Sequence, residues 1–348
     1  MAKADGGDRW ADERQAGDPA LALRVRHVLG EPGNFHTVSV ALLDAEGTRF
    51  ASLGTDRADA RGPATPDTSF ETGSVAKVFT GMLLASADVP EDRPVSALLP
   101  DVRFASADVG SATLAELASH RSGLPRLHLR EGLATNLRLA LTMLRGRDPY
   151  RAMGVGDFLA RTAEVRPAQA RGVFAYSNLG MSLLGQALGG GVTGGYPALL
   201  ERELLAPLGM RATEVRTSYD PVASFAGPHA RGGKALTPWI SEGYAPAGVG
   251  VRSTARDLSL LVRAVLDGSA PGVDAARPRY DAEGGSRVGF GWMTSALDGR
   301  ELTWHNGATG GSRSFVGLDR ERGRGVVLLS NTGQDLDAAG ARLVREDA

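Results

Sequence analysis

The segment Phe70-Glu71-Thr72-Gly73-Ser74-Val75-Ala76-Lys77-Val78-Phe79 places a serine and a lysine three residues apart. Apolar side chains recur at helical spacing directly after Gly73, which predicts a helix that begins near Ser74. On such a helix the side chains of Ser74 and Lys77 lie one turn apart on the same face. The start of a helix also favours negative charge, because its first backbone N–H groups are free and the helix dipole is positive there.

Lys77 is unusual because the chain otherwise uses arginine almost throughout, with 3 lysines against 36 arginines. Arginine stays protonated at any working pH, whereas a buried lysine can lose its proton and act as a base. A serine beside such an amine has the arrangement of a nucleophile and its activator. The Ser-x-x-Lys spacing is short enough to occur by chance, so other parts of the chain have to support a catalytic interpretation.

The composition is that of an ordinary soluble globular protein of 348 residues, with 42% hydrophobic and 23% charged residues. A net charge of −1 indicates neither nucleic acid nor an anionic membrane as a partner. Cysteine is absent, which excludes disulfides and a thiol nucleophile. No apolar run is long enough to span a membrane, and the first residues lack an apolar signal segment, so a cytoplasmic protein is expected.

No metal or other cofactor is expected either. The six histidines show no metal-ligand spacing, and His120 is interpreted as a residue that braces a loop rather than as a zinc ligand. The expected partner is a small-molecule substrate, and the oligomeric state is left open.

Strand patterns occur near both ends of the chain, and helical patterns lie mostly between them. Strands are predicted at 37–43, 48–53, 288–293, 301–305, 314–318 and 325–329. Helices are predicted at 19–29, 114–120, 155–163, 178–188, 196–208, 254–266 and 335–344.

This order predicts an α+β fold with one mainly antiparallel sheet flanked by helices. The sheet lobe would be built from residues 18–89 and 247–348, and residues 90–246 would form an inserted all-helical lobe. Residues 1–17 are polar and without periodicity, which predicts a disordered tail. The active site is expected in the cleft between the two lobes.

Two further clusters carry polar groups. Tyr176 and Asn178 flank a short loop that opens a helix, and the local sequence alone favours a packing tyrosine and a helix-capping asparagine over catalytic residues. The cluster His305-Asn306-Gly307-Ala308 follows a strand. Its glycine would let the backbone approach a ligand closely, although a turn with a surface histidine is an alternative.

Taken together, the three clusters resemble the serine β-lactamase and penicillin-binding-protein superfamily, specifically the class C β-lactamase-like serine hydrolases. The pattern of that family is Ser-x-x-Lys, then Tyr-x-Asn, then Lys/His-x-Gly on a strand at the edge of the cleft. The matching residues are Ser74 and Lys77, Tyr176 and Asn178, and His305 and Gly307. Stretches 120–125, 207–210 and 246–258 are also similar to the family, and the resemblance covers roughly residues 20–345.

The resemblance implies that Ser74 attacks a carbonyl carbon and becomes acylated after Lys77 has taken its proton. Tyr176 would relay the proton to the leaving group and later assist the incoming nucleophile. Asn178 would hydrogen-bond the substrate or Lys77.

The resemblance also implies an oxyanion hole made by the backbone N–H groups of Ser74 and Ala308, with Gly307 beside it. His305 stands where true lactamases tend to carry lysine, and it would hold a substrate carboxylate or orient Tyr176. Histidine at this place is typical of the esterase, D-aminopeptidase and transacylase branches.

The expected function is therefore cofactor-free hydrolysis of an ester or amide through an acyl-enzyme on Ser74. One alternative is a transacylase of small-molecule biosynthesis, which passes the acyl group to an amine or alcohol. Another is a penicillin- or acyl-binding protein that is acylated but does not turn over. The sequence does not separate hydrolysis from transfer, because the shape of the cleft selects the acceptor.

Overall fold

The computed structural model of the chain describes residues 14–30, 36–55, 63–128, 142, 146–150, 153–220 and 224–346. Its strands are β1 (Gln15–Gly17), β2 (Val38–Asp44), β3 (Gly47–Leu53), β4 (Phe70–Glu71), β5 (Glu214–Val215), β6 (Val251–Ser253), β7 (Tyr280–Asp281), β8 (Arg287–Val288), β9 (Met293–Leu297), β10 (Arg300–Ala308), β11 (Arg313–Asp319) and β12 (Arg324–Ser330).

The α-helices in these ranges are α1 (Pro19–Leu29), α2 (Ala76–Ser86), α3 (Ala107–Gly110), α4 (Leu114–Ala118), α5 (Val155–Ala163), α6 (Asn178–Gly189), α7 (Gly195–Leu200), α8 (Ala206–Leu208), α9 (Ala255–Leu266) and α10 (Asp337–Arg345). A 3-10 turn at Gly73–Val75 leads into α2, and π-helical residues Glu201–Leu205 join α7 to α8.

The main sheet has the order β1-β3-β2-β12-β11-β10-β9-β8-β7, and its neighbouring strands are antiparallel. Its centre joins the two ends of the chain, because β2 pairs with β12 and places Val40 opposite Leu328. The predicted mainly antiparallel sheet, built from both terminal thirds, is confirmed.

Hydrophobic cores lie on both faces of this sheet. Successive side chains of a strand point to opposite faces. In β2, Val40 and Leu42 pack in a cluster with residues of α1 and α10, whereas Ala41 and Leu43 pack in a larger cluster with residues of α2 and α9. Burial of each such aliphatic side chain stabilises the fold by about 1.5–3 kcal/mol.

Helix α2 lies in the interior of the larger cluster. Residues 76–84 of this helix are all buried, as expected of a helix that is apolar on every side. A Cβ at Gly81 would lie 2.0 Å from the carbonyl oxygen of Phe290, so this helix and the chain before β9 are in direct backbone contact. This packing carries Lys77 into a region from which water is excluded.

Several predicted elements are confirmed closely, and their ends have local causes. Helices α1 and α5 occupy the predicted residues. Helix α9 begins one residue later than predicted because Thr254 is its N-cap, accepting a hydrogen bond from the N–H of Asp257. Helix α4 ends at Ala118, short of the prediction, and His120 adopts a left-handed backbone with φ +58°.

Three predictions need correction. Residues 1–17 were predicted to be disordered, but Gln15–Gly17 at the end of this segment pair with β3 at the edge of the sheet. Residues 1–13 lie outside the described ranges. The predicted strand at 288–293 is interrupted by a turn, in which Gly291 has φ +71°. Part of the predicted helical lobe is extended, because β5 pairs with β6 in a second, three-stranded sheet.

No helix among the described residues combines the length and the apolar content needed to cross a membrane.

Candidate active site

Ser74 and Lys77 are in direct contact at the start of α2. The Nζ atom of Lys77 lies 2.8 Å from the Oγ of Ser74 and donates a second hydrogen bond of 2.8 Å to the carbonyl oxygen of Ala247. Lys77 is fully buried. Burial, followed by the nearby positive charge of Arg126, lowers the pKa of Lys77 well below its ordinary value. An uncharged amine keeps a lone pair for the serine proton while still donating to Ala247.

Tyr176 lies against the same two residues. Its hydroxyl is in hydrogen-bonding contact with Ser74, and the Nζ of Lys77 lies 5.1 Å from the centre of its ring. Desolvation raises the pKa of Tyr176 to about 12, although the contact with Ser74 opposes this. The phenol is therefore protonated at neutral pH and suited to donate a proton.

His120 supports Tyr176 from behind. Its ring centre lies 4.5 Å from that of Tyr176, and its Nδ1 accepts a hydrogen bond of 3.2 Å from the N–H of Ser177. Burial lowers the pKa of His120 well below its ordinary value, with a smaller contribution from the charge of Lys77. The ring is thus neutral with its hydrogen on Nε2, an atom that has no partner among the described residues. The prediction of a loop brace agrees with the Ser177 contact, but the place of His120 in the wall of the site was missed.

Two glycines allow the turn of Ser74 and the end of β10 to meet. Gly73 has φ +50°, and a Cβ on it would lie 2.7 Å from the backbone nitrogen of Ala308. A Cβ on Gly307 would lie 2.0 Å from the carbonyl oxygen of Thr72 and 3.1 Å from the backbone nitrogen of Ser74. Side chains are excluded at both positions. The backbone N–H groups of Ser74 and Ala308 therefore lie on adjacent segments, as an oxyanion hole requires.

His305 is buried on β10 and faces Tyr176, with 6.2 Å between the ring centres. Its Nδ1 donates a hydrogen bond of 2.6 Å to the carbonyl oxygen of Asn306. Burial, followed by the charge of Lys77, lowers the pKa of His305 to about 3, so the ring is neutral and its Nε2 is an acceptor. A neutral ring has no positive charge to offer a carboxylate, and both predicted roles of His305 stay predictions.

Asn178 is the first residue of α6 but does not cap it. The N-cap is Ser177, whose Oγ accepts a hydrogen bond of 2.9 Å from the N–H of Gly180, so the capping interpretation of Asn178 is wrong. Asn178 lines the cleft, and its Oδ1 is buried without a hydrogen-bond partner in the described chain. This side chain is therefore free to contact a substrate.

Glu71 is a second residue that the sequence did not reveal as part of the site. Its carboxylate accepts hydrogen bonds from the N–H of Trp239 at 2.6 Å, the Oγ1 of Thr309 at 2.8 Å and the Oγ of Ser312 at 3.3 Å. Burial raises the pKa of Glu71 to about 7, although these donors and the charge of Arg252 oppose the shift. Through these hydrogen bonds Glu71, which lies in β4, holds the turn that follows β10. Strand β4 comes just before the nucleophile turn, the 3-10 turn Gly73–Val75 that carries Ser74.

A cleft with a volume of about 640 Å³ opens over Ser74. Aromatic side chains form much of its wall, namely Tyr150, Phe174, Tyr176, Trp239 and Trp304. Among the described residues, the charged side chains that line it are Arg126, Glu283, Arg313, Asp335 and Asp337. Within the described residues, no group of three or more His, Asp or Glu side chains is arranged to hold a metal ion.

The antiparallel sheet with helices on both faces is the fold of the serine β-lactamases. The sequence profile of the family named Beta-lactamase matches residues 24–348, and the chain belongs to this family. Its fold is similar to that of a class C beta lactamase from Rhodobacter sphaeroides, with a TM-score of 0.75 and 22% identity over 94% of this chain and 97% of the other.

Two curated relatives are similar at the level of sequence. A "Beta-lactamase-like protein" of Arthroderma benhamiae is 27% identical over 316 residues, which cover 80% of this chain and 51% of the relative. The "Unguisins hydrolase ungD'" of Aspergillus campestris is 26% identical over 317 residues, which cover 80% of this chain and 55% of the relative. The chain thus spans about half the length of these two relatives.

Proposed function

We propose that the protein is a serine hydrolase that cleaves an ester or amide of a small molecule through an acyl-enzyme on Ser74. The observation that carries this proposal is the buried Lys77, whose Nζ lies 2.8 Å from the Oγ of Ser74 and whose pKa is lowered. Membership of the beta-lactamase family supports it. One relative carries the name of a hydrolase.

Acylation begins when the uncharged Lys77 takes the hydroxyl proton of Ser74. At the same time the Oγ of Ser74 bonds to the carbonyl carbon of the substrate. The carbonyl oxygen gains negative charge and is held by the N–H groups of Ser74 and Ala308, each of which contributes about 100- to 1,000-fold in rate. The proton then passes by way of Tyr176 to the leaving group, and the bond from the carbonyl carbon to that group breaks. Positioned proton transfer of this kind contributes about 100- to 10,000-fold.

Deacylation repeats these steps with water in place of the leaving group. A water molecule attacks the ester carbon and gives a proton to Tyr176, while Tyr176 passes its own proton to the uncharged Lys77. The bond to the Oγ of Ser74 then breaks, and the serine regains a proton as the acid product leaves. His305 orients Tyr176 through both halves, and Asn178 offers its buried Oδ1 to a donor on the substrate.

Transfer of the acyl group to an organic acceptor is the second candidate. The cleft of about 640 Å³ is larger than a water molecule needs, and Tyr150, Trp239 and Trp304 give it apolar walls. An amine or alcohol with an apolar body would fit beside the acyl-enzyme in such a space.

Turnover of p-nitrophenyl acetate tests the proposal. We expect many turnovers per molecule for the wild type and no enzymatic turnover for Ser74→Ala. Ser269→Ala is the matched control, since Ser269 is exposed outside the cleft, and it is expected to behave like the wild type. A single equivalent of p-nitrophenol without further release would instead indicate an acyl-binding protein, and full activity of Ser74→Ala would refute the proposed nucleophile.

The acceptor is determined by repeating the assay with excess 1-butanol and measuring both products. Acetate as the main product is the result expected of a hydrolase. Butyl acetate as the main product would establish the transacylase instead.

A further inference from the structure

Glu71 carries a buried carboxyl group that the proposed mechanism does not use. The residue is 2% exposed. Its Oε1 accepts a hydrogen bond from the N–H of Trp239, and its Oε2 accepts from the hydroxyls of Thr309 and Ser312. Glu71 itself lies in β4, three positions before Ser74. One side chain therefore links three separate segments around the nucleophile.

A carboxyl group at this place has a cost in stability that an apolar side chain would not have. Burial raises the pKa of Glu71 to about 7, so desolvation of the carboxylate outweighs the effect of its hydrogen-bond donors. Arg252 is the register partner of Glu71 on β6, but its Cζ lies over the ring of Phe225, 3.7 Å from the ring centre. Within the described part of the chain, Glu71 has no ion pair. A charged group kept at such a cost is expected to serve the site.

The turn that Glu71 holds comes directly after Ala308, whose N–H is assigned to the oxyanion hole. Ala308 is the last residue of β10 in the ladder with β11, where it pairs with Arg313. Thr309 and Ser312 lie beyond this ladder and bond to each other. The N–H of Thr309 donates to the carbonyl oxygen of Ser312 at 3.1 Å, and the N–H of Ser312 donates to the Oγ1 of Thr309 at 3.2 Å. The turn is therefore closed on itself, and its two hydroxyls connect it to β4 through Glu71.

This connection reaches both donors of the oxyanion hole at short range. At one end it holds the residue next to Ala308. At the other end Thr72, which follows Glu71, donates hydrogen bonds from its N–H and its hydroxyl to the carbonyl oxygen of Val251, at 3.0 and 3.1 Å. The chain between Glu71 and Ser74 is thus fixed, and a change of the Glu71 side chain shifts the N–H of Ala308 relative to that of Ser74.

From this we infer that Glu71 is a positioning residue of the oxyanion hole, which holds the turn after β10 where the N–H groups of Ser74 and Ala308 reach one oxygen atom. Its other carboxylate oxygen fixes Trp239, an aromatic wall of the cleft, to the same strand. The inference rests on the proposed function, because an oxyanion hole has a role only in acyl transfer.

The test measures kcat and KM for p-nitrophenyl acetate in variants that remove this connection. In Glu71→Ala we expect kcat to fall by about 100-fold, the effect of a misplacement of about 1 Å, while KM stays within about threefold of the wild type. The fall is expected whether acylation or deacylation limits the rate, because both steps place negative charge in the oxyanion hole. Glu71→Gln keeps an oxygen for the N–H of Trp239 and an amide for the two hydroxyls, so its kcat is expected to lie within about tenfold of the wild type.

Thr309 offers a second test with smaller changes, since its variants leave the contact of Glu71 with Trp239 in place. Thr309→Val keeps the shape of the side chain without the hydroxyl, and its kcat is expected to fall by about 10-fold. Thr309→Ser keeps the hydroxyl and is expected to stay within about threefold of the wild type. In the double variant of Glu71→Ala and Thr309→Val the two losses should not add, because the hydroxyl has no carboxylate left to bind.

Asp257→Ala is the control for the loss of a buried carboxyl group elsewhere in the fold. Asp257 is 5% exposed and accepts hydrogen bonds of 2.8 Å from the N–H of Ala212 and the Oγ1 of Thr213. It does not line the cleft. The variant is expected to lose stability in urea and to keep the wild-type kcat for each folded molecule, with the folded fraction measured by circular dichroism.

A folded Glu71→Ala protein whose kcat lies within about fivefold of the wild type, or whose loss is confined to KM, would overturn the inference. An equal kcat in Thr309→Val and Thr309→Ser would overturn it as well, and this comparison holds even where Glu71→Ala does not fold. The same loss of kcat in Asp257→Ala as in Glu71→Ala would reduce the effect to general destabilisation and also overturn it. In each of these cases Ser74-dependent turnover by the wild type preserves the proposed function, whereas absence of such turnover would remove both.

Discussion

Replacement of Gly307 by alanine perturbs the contact between β10 and the nucleophile turn with a single methyl group. That methyl carbon would lie 2.0 Å from the carbonyl oxygen of Thr72 and 2.2 Å from the Oγ of Ser314, whereas real Cβ contacts essentially never fall under 3.0 Å. Ser314 cannot simply turn away, because its hydroxyl donates a hydrogen bond of 2.5 Å to that same carbonyl oxygen. The two segments must therefore separate by roughly 1 Å or more, a misplacement that commonly costs about 100-fold in rate.

We expect the kcat of Gly307→Ala for p-nitrophenyl acetate to fall by about 100- to 1,000-fold, as for the loss of one oxyanion donor. Stability should fall by about 1–3 kcal/mol, the usual cost of overpacking, so circular dichroism and thermal unfolding must show that the variant is folded. Gly156→Ala is the control, since a Cβ there meets nothing within 4 Å, and full activity is expected. A folded Gly307→Ala protein whose kcat lies within about fivefold of the wild type would refute the assignment of the Ala308 N–H as an oxyanion donor.

Three further outcomes follow from the site. Glu71 has a pKa of about 7 against an ordinary 4.5, so its contribution to stability is present below pH 4.5 and is lost as the pH rises through 7. The free energy of unfolding in urea would be measured for Glu71→Gln and for the wild type between pH 4.5 and 7. The value for the variant minus that for the wild type should rise by on the order of 3 kcal/mol over this range. A difference that does not change with pH would contradict this. Lys77→Arg should be inactive at every pH because the charge of its arginine is permanent. Wild-type activity should be lost as the pH falls through the lowered pKa of Lys77. An active Lys77→Arg variant with a pH–rate profile parallel to that of the wild type would exclude Lys77 as the base. Tyr176→Phe should lose about 100- to 10,000-fold in kcat/KM with an ethyl ester. The loss should be smaller with a p-nitrophenyl ester, because its leaving group needs no proton. Equal losses with both esters would argue against proton transfer from Tyr176 to the leaving group.

The regular elements were predictable wherever the local pattern was strong. The hairpin has an apolar strand β2 joined by a short polar turn to β3, and α5 has a clear apolar stripe, so both agree closely with their predictions. The interruption of the predicted strand at 288–293 has a tertiary cause. A Cβ on Gly291 would lie 2.2 Å from the carbonyl oxygen of Lys77, which means that the chain turns there to pack on α2.

The members of the site that carry motifs were predictable, because three short patterns occur in the right order. The structure brings Ser74, Lys77, Tyr176 and His305 together. The choice between Ser177 and Asn178 as the helix cap could not be made locally, since both residue types cap helices well. It is decided by the Oγ of Ser177, which also donates to Pro125, a residue 52 positions earlier.

The supporting residues could not be predicted, because their partners are remote in sequence. Glu71 holds the N–H of Trp239, 168 positions away, and His120 accepts from Ser177, 57 positions away. A buried carboxyl and a neutral histidine look locally like any other acid and imidazole. Their importance arises only when the fold removes water and supplies specific donors.

The central claim is that an uncharged Lys77 makes Ser74 the nucleophile, and reaction with a fluorophosphonate tests it most directly by intact mass. The wild type is expected to gain one phosphonyl group, which peptide mapping should locate on Ser74. Ser74→Ala should remain unmodified under the same conditions. An unmodified wild type, or an adduct of equal yield on Ser74→Ala, would contradict the claim.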